Sequence, residues 1–307
     1  MNEIDTIAAT LTAADAATRT WDAAVIGAGP AGASLALALA QRRRSVILID
    51  RAAFPRDKVC GCCINARAIA ALAALDVRHI LDDHRAVATD RFAIRTHGAQ
   101  ASLDLPHGVA LSRRRFDAAL VRRAIAAGAV FLPGFSASDA GLGANQRCVH
   151  LHRGDEQAHL HARVVIAADG LSGGFLRDTG DHHPTTARRS HLGLGGVVGE
   201  APADYVPGTI HMHVAAHGYV GIVRLEDGRL DVAAALAPMF IRERAGPATA
   251  IADILHTCAA PTIPGLDAVS WRGPPLLTRR RKRITGERLL LIGDAAGYVE
   301  PFPGEGL

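Results

Sequence analysis

Trp21 to Asp50 reads WDAAVIGAGPAGASLALALAQRRRSVILID. A short apolar run, Ala23 to Ile26, leads into Gly27-Ala28-Gly29-Pro30-Ala31-Gly32, an Ala/Leu-rich stretch of helical length follows, and a second apolar run, Val46 to Ile49, stops at Asp50. Strand, glycine trio, helix, strand and acid in that order form a dinucleotide fingerprint, a far more specific signal than the glycines alone. Gly27 permits the tight turn, Gly29 lets backbone amides approach a pyrophosphate, and Gly32 lets the helix pack closely on the sheet. Pro30 and Ala31 open the helix, whose positive end faces the phosphates. Asp50, followed by Arg51, accepts hydrogen bonds from an adenosine ribose diol and repels a 2′-phosphate, so FAD or NAD is expected here in preference to NADP.

Three later segments extend the same domain. LSRRRFDAALVRRAIAAGAVFL, from Leu111, predicts a helix over about Arg114 to Ala126 that Gly128 ends. A β-branched strand, Arg163 to Ala167, stops at Asp169-Gly170, where an acid at a strand's carboxyl end is placed to face a cofactor. Leu289 to Ile292 form another apolar strand that Gly293-Asp294 breaks at the same sheet edge. An acid there can accept hydrogen bonds from a sugar-alcohol chain, and the backbone of Pro301 to Gly306 can approach a planar ring without obstruction. A turn of this kind is expected to feed a helix, so closing helices are expected beyond Leu307.

Residues 85–108 and 185–280 carry fewer fingerprint glycines and more alternating segments, with Glu226-Asp227-Gly228-Arg229 as a hairpin turn. The expected fold is α/β: a Rossmann-like FAD-binding domain of the GR2 type, with an inserted antiparallel sheet forming a substrate domain. The FAD-binding part is assigned to 21–84, 109–184 and 281–307, the substrate part to 85–108 and 185–280, and residues 1–20 are an N-terminal extension.

The 307 residues, 49% of them hydrophobic, suffice for a substantial core. The formal charge of +4 comes from local runs, QRRR at Gln41 to Arg44 and TRRRKR at Thr278 to Arg283. Neither has aromatic interleaving, so they point to a solvated face or a phosphate neighbourhood and not to nucleic acid; the second also suits peripheral contact with anionic lipid. No apolar stretch is long enough for a transmembrane segment, and the acidic start lacks a leader pattern. With five cysteines and no leader, a cytoplasmic location is expected.

Together these segments resemble the FAD-binding framework of the para-hydroxybenzoate hydroxylase superfamily, and within it the geranylgeranyl reductase-like group. The resemblance rests on Gly27, Gly29, Gly32 and Asp50, on Arg113 before Phe116-Asp117, on Asp169-Gly170, and on Gly293-Asp294 with Pro301, Gly304 and Gly306. It implies that Asp294 holds the ribityl chain, that Gly304 to Leu307 contact the isoalloxazine, and that Arg113 lies close to FAD. It further implies a role near flavin and substrate for Lys58, Cys60 and Gly61, which match a Lys-x-Cys-Gly segment of the reductase-like relatives. Relatives usually continue with small residues, whereas this chain has Cys62 and Cys63.

Four readings of the crowded thiols stay open: a zinc site, a Cys60 to Cys63 disulfide, packing of small apolar groups, and a cavity-lining or catalytic role, the last favouring Cys60 through family position. Too few ligands surround them for a recognised metal pattern, and no metal is assigned. His211 and His213 share one strand face, and with His217 they suit acid-base or substrate contact better than a metal. Hydrolase motifs are absent from the sequence.

The leading expectation is an FAD-dependent oxidoreductase reducing a carbon-carbon double bond of an apolar, isoprenoid-like substrate by hydride transfer, with Cys60 near the acceptor. The alternative is an aromatic or polyketide monooxygenase working through a flavin hydroperoxide, and a third is a flavin-binding or electron-transfer module without its own catalysis. The partner is a small apolar or aromatic molecule. No second dinucleotide fingerprint is present, so NAD(P)H binding transiently or a reductase partner supplies the electrons.

Overall fold

A computed structural model describes residues 5–171, 173–176, 180–199, 201–273 and 276–300. Its first sheet has eight strands around a parallel centre: Leu289–Leu291, Glu156–Ala167, Thr20–Ile26, Val46–Asp50 and Val130–Pro133 lie side by side in that order. Every residue of Val46–Asp50 is buried, as expected of a central parallel strand covered on both faces. A meander of Ser136–Leu142 and Arg147–Arg153 adds antiparallel to Glu156–Ala167.

The helix Pro30–Gln41 lies on this sheet through small side chains, Gly32, Ala33, Ala36 and Ala40, which recur on one face and admit close approach. A second helix, Arg113–Ala126, packs beside it and begins one residue before the predicted start, because the Ser112 hydroxyl caps it by accepting from the Arg115 N–H. Residues ahead of the fingerprint join the same body: Ile7 bridges to Phe54, and the Thr10 N–H donates to the Phe131 carbonyl.

The second sheet has seven strands, in the order Leu192–Val198, Leu230–Leu236, Gly218–Arg224, Thr209–Ala215, Val87–Thr96, Ala99–Ala110 and Cys63–Ile64. It differs from the sequence expectation in two ways. Thr209–Ala215 runs parallel to Val87–Thr96, because the hairpin 87–110 forms an edge that a later strand joins from the same end. Cys63–Ile64, assigned from sequence to the cofactor side, pairs with Val109 and Ala110 and so ties the cysteine turn to this sheet. A third small sheet combines Pro184–Thr186, Arg279–Arg281 and Gly297–Tyr298.

The turn between Gly218–Arg224 and Leu230–Leu236 is the predicted hairpin turn, and it also holds the two large sheets together. The Glu226 carboxylate is nearly fully buried and accepts from the Ser112 N–H at 3.0 Å and the Ser112 hydroxyl at 2.6 Å, with the Arg115 guanidinium 3.1 Å away. A buried carboxylate with this set of charge-assisted donors is strongly favoured, and its removal orphans all of them. Glu226→Ala is expected to cost about 2–4 kcal/mol and to lower the midpoint of thermal unfolding by several degrees in calorimetry. Glu226→Gln, which keeps an acceptor oxygen, should lose less; equal stability of Glu226→Ala and wild type would remove this tie.

Candidate functional site

Between the first and second sheets lies one cavity of about 970 Å³. Its charged half is built on the glycine turn. Gly27 has φ +106°, and a side chain there would sit 2.3 Å from the Ala168 carbonyl oxygen; at Gly32 it would sit 1.9 Å from that of Gly27. These two glycines let three backbones meet. Gly29 serves differently: a Cβ would find only the Arg113 and Arg56 guanidinium groups, at 3.8 and 3.9 Å, so it faces open space between two cations. Gly29 also caps Pro30–Gln41, whose first N–H groups point the same way.

Arg51, Arg56, Lys58 and Arg113 all line this half. Desolvation, followed by the charges of Arg56, Arg113 and Arg51, pulls the Lys58 ammonium below its ordinary range. Arg113 is buried and forms a two-point pair with Asp117, Nε to Oδ1 at 2.8 Å and Nη2 to Oδ2 at 2.9 Å, and Cys60 lies near it. The Arg56 Nη1 atom is buried without a hydrogen bond, although it lies 3.0 Å from an Asp117 oxygen, too poorly angled to be one. A cation cluster with an orphaned donor, set at a helix N-terminus around a glycine, fits a diphosphate. Asp50 completes the fit: its carboxylate accepts from the Ala28 and Ala52 N–H groups at 2.8 and 2.9 Å and borders the cavity at the end of its strand, where a ribose would lie.

Asp169, Gly170, Gly293 and Asp294 border the same cavity at the ends of their strands. Burial raises the carboxyl of Asp169, which accepts from the Phe175 N–H at 2.9 Å and so holds its own loop in place. Asp294 opens onto the cavity and is likewise raised by desolvation, against the charges of Arg113 and Lys58. At Gly293, φ is +57° and an added Cβ would lie 2.9 Å from the Ala31 Cβ, so this turn and the helix start require each other's small size. Pro301, Gly304, Gly306 and Leu307 lie outside the described residues. The basic run is divided: the Arg279 guanidinium reaches the Leu171 carbonyl, the charge of Asp169 acts on Arg281, and Arg280 and Lys282 face solvent.

The second sheet forms the apolar wall. Ile210 and Met212 point into the cavity, as do Tyr219, Gly221 and Val223 on the next strand and Ala233 and Ala235 on the one beyond. Strand alternation therefore turns His211 and His213 to the other face, where both meet Tyr205, and His217 stacks on Phe240. The expected histidine contact with substrate is corrected on this ground. Sequence reading missed Arg56, for which the basic loop PRDK was the available signal, and missed Tyr219 and Tyr298, for which there was none.

All five cysteines are free, so Cys60 and Cys63 form no disulfide, and no group of three or more metal-ligating side chains converges among the described residues. Cys60, Gly61 and Cys63 border the cavity, whereas Cys62, at φ +52°, is buried and lies near Asp231. Burial pushes the Cys62 and Cys63 thiols well up, and it raises the Asp231 carboxyl to about 7. One Asp231 oxygen has no partner.

A family described as FAD binding domain matches residues 20–307. A menaquinone reductase of Mycobacterium tuberculosis is 27% identical over 314 residues, which cover 93% of this chain and 72% of that protein. Among solved structures, the myxobacterial chondrochloren halogenase superposes with a TM-score of 0.78 at 19% identity, over 94% of this chain and 71% of that one. The p-nitrophenol 4-monooxygenase of Pseudomonas putida does so with a TM-score of 0.73 at 19% identity, over 94% and 75%. At such identities the structures establish a shared fold. No helix among the described residues is long and apolar enough to cross a membrane.

The Asp231 carboxyl generates a prediction with a definite sign. The native state keeps a proton that the unfolded chain releases above about pH 4, so this group's contribution falls as pH rises from about 4 to about 7. Asp231→Asn, neutral throughout, should raise the unfolding midpoint relative to wild type by more at pH 8 than at pH 5. A difference independent of pH would mean that Asp231 is already ionised in the native protein.

Proposed function

The chain belongs to the FAD-binding domain family and is a flavin-dependent redox enzyme, and from that premise we propose that it inserts oxygen into a small aromatic or apolar substrate as an FAD-dependent monooxygenase. The observation that carries the reading is the single cavity with two unlike halves, one cationic at a helix N-terminus and one walled by Ile210, Met212, Ala233 and Ala235 with the Tyr219 hydroxyl among them. Its apolar half suits a ring or alkyl body, its phenol suits one polar handle, and a dry wall limits wasteful loss of reducing equivalents as hydrogen peroxide. The fold shared with a protein named as a nitrophenol monooxygenase supports the same choice.

Bound FAD supplies the electron chemistry, either activating dioxygen or delivering two electrons to a double bond. The chain's own residues bind and exclude. Gly29, the first N–H groups of the helix, Arg56 and Arg113 hold the diphosphate, Asp50 the adenosine ribose, and Asp294 the ribityl chain. Asp169 and Gly170 shape the loop beside them, and Lys58 adds charge at the phosphate end. NAD(P)H or a reductase partner supplies the electrons.

A second reading is reduction of an isoprenoid-like double bond, as in the geranylgeranyl reductase-like group. It is supported by the Lys58-Val59-Cys60-Gly61 segment on the cavity rim and by the name of the menaquinone reductase to which the chain is similar. In that reading Cys60, near Arg113, positions the acceptor.

The two readings separate in one stopped-flow series. The FAD-loaded protein is photoreduced without oxygen and mixed with oxygenated buffer, alone and with a panel of phenols and prenylated quinones. For a monooxygenase, one panel member should prolong a transient flavin absorbance and gain one labelled oxygen atom from ¹⁸O₂. Featureless reoxidation with every compound, together with anaerobic saturation of an alkene that Cys60→Ala slows at least about tenfold without releasing FAD, would favour reduction.

A further inference from the structure

We propose that Cys60 and Cys63 form a redox-active pair on the cavity rim, which hydrogen peroxide converts to a disulfide and a small dithiol returns to thiols. Only the source of the peroxide rests on the reading of this cavity as a flavin site, where peroxide is the waste product. The pair itself rests on the turn that carries it.

Cys60-Gly61-Cys62-Cys63 is a C-x-x-C sequence, the spacing at which two thiols close a disulfide within one turn. Both outer cysteines are half-buried thiols that border the cavity, whereas Cys62 between them is buried. The chain bends at Cys60 and is left-handed at Cys62, φ +52°, so the segment between the outer thiols is turned and not extended.

Both flanks of the turn are fixed on the second sheet. Val59 packs on Gly195, where an added Cβ would lie 2.8 Å from the Val59 Cγ1. Cys63 pairs with Ala110, and the Leu111 N–H donates to the Cys62 carbonyl at 3.0 Å. Gly195 stands on the strand at one edge of that sheet and Cys63 on the strand at the other, so residues 59–63 span the seam between the two edges. Between these anchors Gly61 is exposed, and an added Cβ there would meet nothing within 4 Å. The turn therefore has room to bring sulfur to sulfur while its anchors stay in place. A thiol that only fills space belongs inside, as Cys62 does; Cys60 and Cys63 instead face the cavity. Cys148 lies beside His159 on the first sheet and the Cys258 thiol donates to the Val214 carbonyl, which makes these two references for a thiol outside the turn.

The chemistry balances in two steps. The Cys60 sulfur attacks one peroxide oxygen: the O–O bond breaks, an S–OH bond forms, and the thiol proton leaves with the other oxygen as water. The Cys63 sulfur then displaces that hydroxyl, the S–S bond forms, and the Cys63 proton leaves with the hydroxyl as a second water. Two thiols are oxidised and one peroxide is reduced. A dithiol reverses the change by exchange and becomes a disulfide itself.

The test counts thiols and not turnover. FAD-loaded protein, freed of reductant, is treated with hydrogen peroxide, and its thiols are titrated after unfolding. The count should fall from five to three as two thiols pair, and dithiothreitol should restore all five. The tryptic peptide 59–67 should become lighter by about two mass units, with Cys62 still open to alkylation. Cys62→Ala should lose two thiols as wild type does. In Cys60→Ser the loss should slow by at least about tenfold, because a partner thiol is no longer held beside Cys63. Cys63→Ser should stop at a Cys60 that dimedone labels. FAD content and the unfolding midpoint are recorded for each variant, and alanine replaces serine in any that fails to fold. A count that stays at five, a loss unchanged in Cys60→Ser, or a bond made through Cys62 overturns the pair. Loss of two thiols in a protein that retains no FAD supports the pair and overturns the reading that places peroxide in its cavity.

Discussion

Three backbones meet where Gly27, Gly32 and Ala168 touch, and the site depends on that contact. With a Cβ at Gly32 placed 1.9 Å from the Gly27 carbonyl oxygen, no other residue lets the helix Pro30–Gln41 settle on the sheet at this depth. The depth aims the helix N-terminus at the cavity. It also brings Ala31 against Gly293, so the turn carrying Asp294 reaches the cavity only because both neighbours are small. Asp169 follows one residue after Ala168, and its carboxylate ties its loop back through Phe175. A close contact of main chains thus sets the positions of acids that lie far apart in sequence.

Around this frame the two halves of the cavity follow opposite electrostatic rules. On one side Arg51, Arg56, Lys58 and Arg113 crowd together with less anionic charge than they can use, since Asp117 is shared by two of them and Asp50, engaged by backbone donors, reaches only Arg56, at 3.5 Å. The Lys58 ammonium is depressed first by its burial and then by that crowding. An anionic ligand relieves it, which gives the site a reason to bind a diphosphate beyond shape. Buried guanidinium groups remain charged under such repulsion, whereas an ammonium yields its proton more readily.

What the sequence made legible follows from where chemistry restricts residue type. Backbone clearance demands glycine and ribose recognition demands an acid, so Gly27, Gly29, Gly32, Asp50 and Asp294 stand out at their spacings. The apolar wall was less legible. Alternation in TIHMHVA gives two faces but not which one turns inward, and only the packing of the second sheet shows that Ile210 and Met212 do while His211 and His213 do not. The Glu226 tie joins residues 114 apart and Glu300 meets His191 across 109, and no local pattern encodes either. The parallel entry of Thr209–Ala215 beside Val87–Thr96 is likewise a long-range pairing that no local pattern encodes.

In the apolar half, burial drives the titratable groups toward neutrality. It raises the carboxyl of Asp231, the thiols of Cys62 and Cys63, and the phenols of Tyr219 and Tyr298. A substrate bound there meets hydrogen-bonding groups but little fixed charge, and the nearest strong field comes from the cationic half. Charge developing on the substrate is then governed by two things: its distance from that cluster, and whether a proton can move. Neutral groups exchange protons only along hydrogen bonds that lead to water. Cys62 and Asp231 are both buried, and one Asp231 oxygen has no partner, whereas Tyr219 borders the cavity. A group in this wall that exchanges a proton is therefore to be sought by its connection to solvent and not by its acidity.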